Sequence, residues 1–228
     1  MTEDQHISVA VDAVVFGYSS ASGLSALLVR RRFEPFAGHW ALPGGFVRDG
    51  ESLEAAVSRV LEEETGVSIR YLEQLYTFGE PERDPRQRVI SVAYFALVRP
   101  DDLTIFPHSP AGDVAWFDTR ELPPLAFDHP RILGAAIERI RNKITYEPIG
   151  FELLEEKFPF TDLQLLYETL LRRSIDRRNF KKKIRGLGIL EELSERRKQP
   201  GSGRPALLYR FNKDNYFKLK AQGIGFEI

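Results

Sequence analysis

The chain has 228 residues, 43% of them hydrophobic and 29% charged, with a formal net charge of −1. Such proportions belong to a globular protein and exclude wholesale disorder, and the length allows a domain of about 150 residues plus a smaller partner. Without a single cysteine, a disulfide scaffold, thiolate metal sites and a cysteine nucleophile are excluded.

The N-terminal stretch MTEDQHISVAVDAVVF is acidic before its first apolar run, and Asp12 interrupts that run far short of a membrane span or signal core. A cytoplasmic protein with no membrane attachment is expected. HISVAVDAVVFGY and LSALLVRRRF are β-branched apolar runs separated by SSASG, which predicts two strands joined by a turn. A glycine-rich loop and short strand, GHWALPGGFV, follows. Leu53, Val57, Val60, Leu61 and Thr65 then recur at helical spacing, and Gly66 stops the helix. VISVAYFALV and DVAWFDT predict further strands, and Pro130 opens a second helix carrying Leu133, Ala136, Ile137, Ile140 and Ile144 on one stripe. Strands mixed with two helices predict an α/β/α sandwich over residues 1–147. Two prolines in TYEPIGFELLEEKFPF place a boundary near Pro148, with residues 148–228 as a second domain.

In that second part, Thr161-x-x-Gln164 reads as a capping box opening TDLQLLYETLL, and Asp176 caps a helix over RRNFKKKIRGLG. Two strands around a basic Gly/Pro loop come next, so the order is that of a winged helix-turn-helix. The whole is an α+β chain. Its charge is divided: residues 161–213 hold 14 Lys/Arg and 6 Asp/Glu, against 18 and 27 elsewhere. A basic segment on an acidic body points to a polyanion for one part and different work for the other.

Positions 60, 63 and 64 share one helical face at i, i+3 and i+4. Three carboxylates there would hold a divalent metal against a pyrophosphate. Glu63 and Glu64 are present, but position 60 is valine, and Glu62 lies about 100° round the axis. An isolated run of glutamates is ordinarily a solvated face. Here, however, Gly45, Glu51, Arg59, Leu61, Glu63, Glu64, Gly66 and Val67 keep fixed spacings after WALPGGF, and this stretch resembles the box of the Nudix hydrolase superfamily. The resemblance implies magnesium ligands at 60, 63 and 64 and a bracing pair at Glu51 and Arg59. One ligand is therefore missing, which leaves Glu63 and Glu64 as the metal candidates. Magnesium is expected only if hydrolysis is retained, and binding of a pyrophosphate compound requires no cofactor. Arg31 and Arg32 end a strand, while Arg83, Arg86 and Arg88 precede another, and arginine suits phosphate oxygens. Together with Phe46 as a stacking ring, the candidate ligand set is Arg31, Arg32, Phe46, Glu51, Arg59, Glu63, Glu64, Arg86 and Arg88, although Trp40 and Phe46 equally suit a core beside a glycine loop.

On the basic helix, Phe180, Ile184 and Leu187 form a core stripe, with Arg178, Lys181, Lys182 and Arg185 opposite and Arg177 and Asn179 at the N-terminal end. Such a helix suits a DNA major groove, and Arg196, Arg197, Lys198 and Arg204 around the following loop suit phosphates or a minor groove. The combination PFAGHWALPGGFV, RDPRQRVISVAYFALV and DRRNFKKKIRGLGIL, in that order, resembles the Nudix-related transcriptional regulators of NAD metabolism along nearly the whole chain. This implies a dimeric repressor of NAD biosynthesis or salvage genes that binds a palindromic double-stranded operator and senses ADP-ribose, a related nucleotide or a sugar. A magnesium-dependent ADP-ribose pyrophosphatase, alone or combined with DNA binding, is the alternative.

Overall fold

The computed structural model describes residues 6–67, 69, 71–99, 108–109, 112–198, 205–223 and 225–227. The chain divides into two compact units, Met1–Gly17 with Leu24–Arg139, and Tyr18–Gly23 with Ile140–Ile228.

The first unit is built on β1 (Ser8–Ser19), β2 (Gly23–Arg30), β3 (Trp40–Ala41), β4 (Gly44–Phe46), α1 (Leu53–Thr65), β5 (Tyr71–Phe78), β6 (Val89–Val98), β7 (His108–Ser109), β8 (Gly112–Asp118) and α2 (His129–Lys143). Its strands form one sheet in the order β5-β6-β1-β2-β8-β7, with β3 against β2 and β4 against β1. The sheet is mixed, because β1 and β6 run parallel and the other pairs antiparallel. The continuous apolar runs of β1 and β6 follow from burial on both faces. One face takes α1: Ala56, Val57, Val60 and Leu61 pack with Val11, Val15, Leu27 and Tyr94. Val14 and Phe16, on the opposite face by strand alternation, are also fully buried. Strand β5 was not anticipated from the sequence. It pairs only with β6 at the sheet edge and has just two buried residues, Leu75 and Phe78, so it carries no alternating signature.

The second unit comprises β9 (Phe158–Pro159), α3 (Phe160–Leu171), α4 (Arg177–Gly186), β10 (Leu190–Arg197), β11 (Ala206–Phe211) and α5 (Lys213–Ala221). The three strands form a small sheet in the order β10-β11-β9. Its core gathers Phe160, Tyr167 and Phe180, with ring centroids 5.6 Å apart for Phe160–Phe180 and 5.0 Å for Tyr167–Phe180. The segment around Pro148 is not a loose connection. Residues 149–153 make a 3-10 turn that buries Ile149, Phe151 and Leu153, and Phe151 stacks on Phe211 at 4.2 Å.

The capping box is absent. Pro159 pairs with Leu208 in the small sheet, so the chain enters α3 directly from a strand, and the Gln164 amide donates to Glu168 instead of reaching back. Asp176 does cap α4, accepting from the Asn179 N–H at 2.8 Å. Helix α5, capped by Asn212, buries none of its residues fully and left no apolar stripe to read. Helix α3 ends at Arg172 with φ +51°, a left-handed conformation that costs a non-glycine residue about 1 kcal/mol.

Candidate functional site

Within the first unit, a cleft of about 200 Å3 opens over β1 and β4. Its floor is Asp12, a carboxylate in the middle of a hydrophobic strand and only 5% exposed. Gly44 lies opposite in the ladder, and a Cβ there would stand 2.3 Å from Asp12 Oδ1 and 2.9 Å from the Val11 carbonyl. Only glycine fits. The Asp12 carboxylate accepts from Arg83 Nη2 at 3.0 Å and from the Ser91 hydroxyl at 2.5 Å. Arg83 is itself buried and also forks onto Asp128, at 2.7 and 3.1 Å. The Leu42 N–H donates to His129 Nδ1 at 2.9 Å, so the ring proton sits on Nε2, 3.4 Å from Asp12 Oδ1. Burial opposes ionisation of Asp12, but His129, Arg83 and Ser91 outweigh it and bring the pKa down to about 2.

The walls are guanidinium groups and rings. Arg31 lies 4.7 Å above the Phe127 ring, and Arg86 lies 5.8 Å from Phe46 and 6.0 Å from Phe127. Arg86 is aimed by Asp84, which accepts from Nε at 3.0 Å and Nη2 at 2.7 Å. Phe127 and Phe36, in edge contact at 4.8 Å, both have positive φ, 52° and 65°. Such strained positions gather at ligand clamps. The arrangement offers two cations and flat apolar surfaces to a ligand that is both anionic and aromatic.

Helix α1 stands beside the cleft, bounded by the Ser52 cap and by Gly66 at φ 72°. Glu51 and Arg59 form a two-pronged pair at 2.7 and 2.8 Å, and Arg59 also donates to the Phe46 carbonyl at 3.1 Å. They tie the glycine loop to the helix. The Arg59 hydrogen bonds hold the Glu51 carboxyl down at about 2. Glu63 is exposed and faces Arg48 at 3.4 Å and Arg59 at 3.3 Å. Glu64 accepts from the Gly44 N–H at 3.1 Å, and burial pushes its pKa up to about 7. Val60 is in the core, and its Cγ2 would be 3.1 Å from a Cβ at Gly45.

Magnesium is usually held by one or two carboxylates together with substrate phosphates and water, and of positions 60, 63 and 64 two carry a carboxylate, Glu63 and Glu64. Position 60 supplies no oxygen, and Glu63 faces Arg48 and Arg59. Among the described residues no three His, Cys, Asp or Glu side chains are grouped to hold a metal ion.

Of the sequence-derived ligand set, Arg31, Phe46 and Arg86 line the cleft, whereas Arg32 and Arg88 do not. Arg88 lies just before β6, half-buried, with Nη1 finding no partner among the described residues. Glu51, Arg59, Glu63 and Glu64 stand on the α1 side, with Glu64 reaching the lining through Gly44. The sequence reading missed Asp12, Asp84, Phe127 and His129 as lining groups. Asp12 did leave a signal, because a charge in an otherwise apolar buried strand is the informative exception.

In the second unit, α4 buries Phe180 and Ile184 and exposes Arg177, Arg178, Asn179 and Lys182. Lys181 departs from the expected cluster: its Nζ lies over the Phe160 and Tyr209 rings at 5.5 and 5.8 Å, because its position flanks the core stripe. Arg185 is paired with Glu192. Arg197 meets Glu155 at 2.7 Å and the Lys157 carbonyl at 3.1 Å, and Arg196 approaches the Pro205 carbonyl at 3.4 Å. Lys198 is exposed. Arg204 lies outside the described residues. Among those residues no helix is long and apolar enough to cross a membrane.

Residues 6–135 match the NUDIX domain model, and residues 150–211 match the model of the NrtR DNA-binding winged helix domain. The chain is 34% identical over 211 residues to the ADPR responsive transcriptional repressor NtrR of Acinetobacter baylyi, covering 91% of this chain and 83% of that protein. It resembles the crystal structure of Shewanella oneidensis NrtR complexed with a 27mer DNA, at TM-score 0.77 and 35% identity, covering 91% of this chain and 94% of the other. The NUDIX domain of the same Shewanella protein, complexed with ADP ribose, matches 60% of this chain and 90% of its own at TM-score 0.55 and 39% identity.

Proposed function

This chain belongs to the NrtR-type, Nudix-related transcriptional repressors, and on that premise we propose that residues 1–147 sense ADP-ribose or a related nucleotide or sugar while residues 148–228 grip an operator. The observation that carries the sensing role is the divergence between cleft and helix. The cleft keeps two guanidinium groups, Arg31 and Arg86, beside Phe46 and Phe127. The helix next to it has put a methyl-bearing side chain, Val60, where the Nudix resemblance implies a metal-holding carboxylate. Binding of a diphosphate compound is thereby separated from its hydrolysis.

In this reading the diphosphate lies between Arg31 and Arg86, whose forked N–H groups suit phosphate oxygens. A base or ribose packs against Phe46 or Phe127. Asp12, His129 and Arg83 fix the floor, so the walls are preorganised and little ordering is needed on binding. The second unit places α4 in a major groove of double-stranded DNA. The protein acts as a homodimer on a palindromic operator that controls genes of NAD biosynthesis or salvage. Ligand changes the relative arrangement of the two recognition helices and relieves repression. It does so only to the extent that it binds one arrangement more tightly than the other.

The test is a mobility shift on the promoter DNA adjoining the gene, with ADP-ribose, NAD or a simple sugar added, alongside a magnesium-dependent turnover assay. Retarded DNA released by one of these ligands, without turnover, is the expected result. Turnover of ADP-ribose at an enzymatic rate with no retardation would overturn it in favour of the pyrophosphatase.

A further inference from the structure

Two classes stand out among the cations of the second unit. One class is held within the fold: Arg185 by Glu192, Arg197 by Glu155 and Arg210 by Glu191 at 2.8 Å, while Lys157 takes Glu195 at 2.7 Å; Arg196 on β10 and the adjoining Lys198 are exposed and stand outside this class. Strand β10 itself carries Glu191, Glu192 and Glu195, so the ribbon is close to electroneutral and presents carboxylates to any approaching phosphate. Arg172, Arg173, Arg177, Arg178, Lys182 and Lys183 form the other class. All six are exposed, and among the described residues none has a carboxylate within ion-pair range. They fall within twelve consecutive positions, where the only acid is Asp176, whose carboxylate caps α4.

The first two of these lie off the recognition helix, on the turn between α3 and α4. That turn is fixed: the Ile175 N–H donates to Glu168 Oε1 at 2.9 Å, and the Gln164 amide donates to the same oxygen at 3.1 Å. Arg172 occupies a left-handed conformation at the end of α3, φ +51°, a place where glycine is the unstrained residue. A long cation is therefore held on a rigid turn at a site that sterics alone would assign to glycine.

We propose that the α3–α4 turn, through Arg172 and Arg173, is a phosphate-gripping anchor on duplex DNA, and that Arg197 and Arg210 of the β10–β11 ribbon are neutralised inside the fold and do not contribute to it. The proposal rests on the DNA-binding reading of this unit. It extends the contact surface from the groove-facing helix to the turn that precedes it. Electrostatic binding there is read by salt, since each phosphate neutralised contributes about 0.9 to the slope of log affinity against log salt.

The experiment is fluorescence anisotropy with the labelled promoter duplex and with a random duplex of equal length, between about 50 and 200 mM salt, on the full chain. Arg172→Gly is expected to bind both duplexes several-fold more weakly, with a slope shallower by about 0.9, while its thermal midpoint stays at or above that of the natural chain. Arg173→Ala should lose slope in the same way, so the outcome does not depend on the folding of one variant. Arg210→Ala should keep the full slope. If both turn variants keep the slope of the natural chain, the anchor is refuted although DNA binding stands. Equal loss of slope in Arg210→Ala refutes the division between free and neutralised cations. A natural chain that binds neither duplex removes the DNA-binding reading itself, and the anchor with it.

Discussion

Replacing Asp12 by asparagine removes the charge and turns the oxygen that faces His129 Nε2–H into an amide donor. The amide keeps the shape of the carboxyl group, its oxygen still accepts from Ser91, and Arg83 retains Asp128. What is lost is the attraction that lowers the Asp12 pKa from 3.8 to about 2 against the cost of burial. A carboxylate depressed in the folded state stabilises it above the unfolded pKa, and that contribution disappears as pH falls through the folded value. From 3.8 to about 2 this is on the order of 2 kcal/mol at neutral pH, present above about pH 4 and lost towards pH 2. Both tryptophans, Trp40 and Trp116, belong to the first unit, so their fluorescence follows its unfolding in urea without a signal from the second. With a slope of about 2 kcal/mol per molar urea, the Asp12→Asn midpoint should fall by about 1 M at pH 7. The difference should fall to about half by pH 3 and close only towards pH 2. A deficit that stays constant from pH 7 to pH 3 would refute the reasoning, because it would place the role of Asp12 in shape and not in charge.

Glu64 should behave in the opposite sense. Its pKa is raised from 4.5 to about 7, chiefly by burial, so the folded state loses stability as pH rises from about 4.5 to 7, and Glu64→Gln should be up to about 3 kcal/mol more stable than the natural chain at pH 8 and equal to it at pH 4, in the same urea assay. Gly44→Ala should destabilise the first unit by more than about 2 kcal/mol and abolish ligand binding in calorimetry, since the added carbon cannot coexist with Asp12 Oδ1 and the Val11 carbonyl; full-affinity binding of ADP-ribose would contradict this placement of the loop. Tyr167 is fully buried and its hydroxyl finds no partner among the described residues, so Tyr167→Phe should gain about 1 kcal/mol in thermal unfolding, whereas a loss of that size would reveal an unseen hydrogen bond.

Much of this protein was readable in its residue order, and the readable part is local. Helix α1 follows from apolar residues at steps of three and four between Ser52 and Gly66, and the cap on α4 follows from Asp176, because both depend on neighbours within one turn. The missing carboxylate at Val60 is equally local, since a helix fixes which side chains share a face. The cleft is different. Asp12 acquires its meaning from Arg83, Ser91 and His129, which are 71 to 117 positions away in sequence and meet only when β6 pairs with β1 and α2 comes into place. The arginines make the same point. Arg83, Arg86 and Arg88 are equivalent in a string of letters, yet one is locked under the floor, one faces the cleft, and one stands outside it. Likewise Arg185 and Lys182 both read as groove-facing cations, and only the pairing of β10 with β11 sets Glu192 beside the first and leaves the second free. Sequence determines which charges exist and which helical face they occupy; the partner that neutralises or aims each one is chosen by contacts between distant segments, and those exist only in the folded chain.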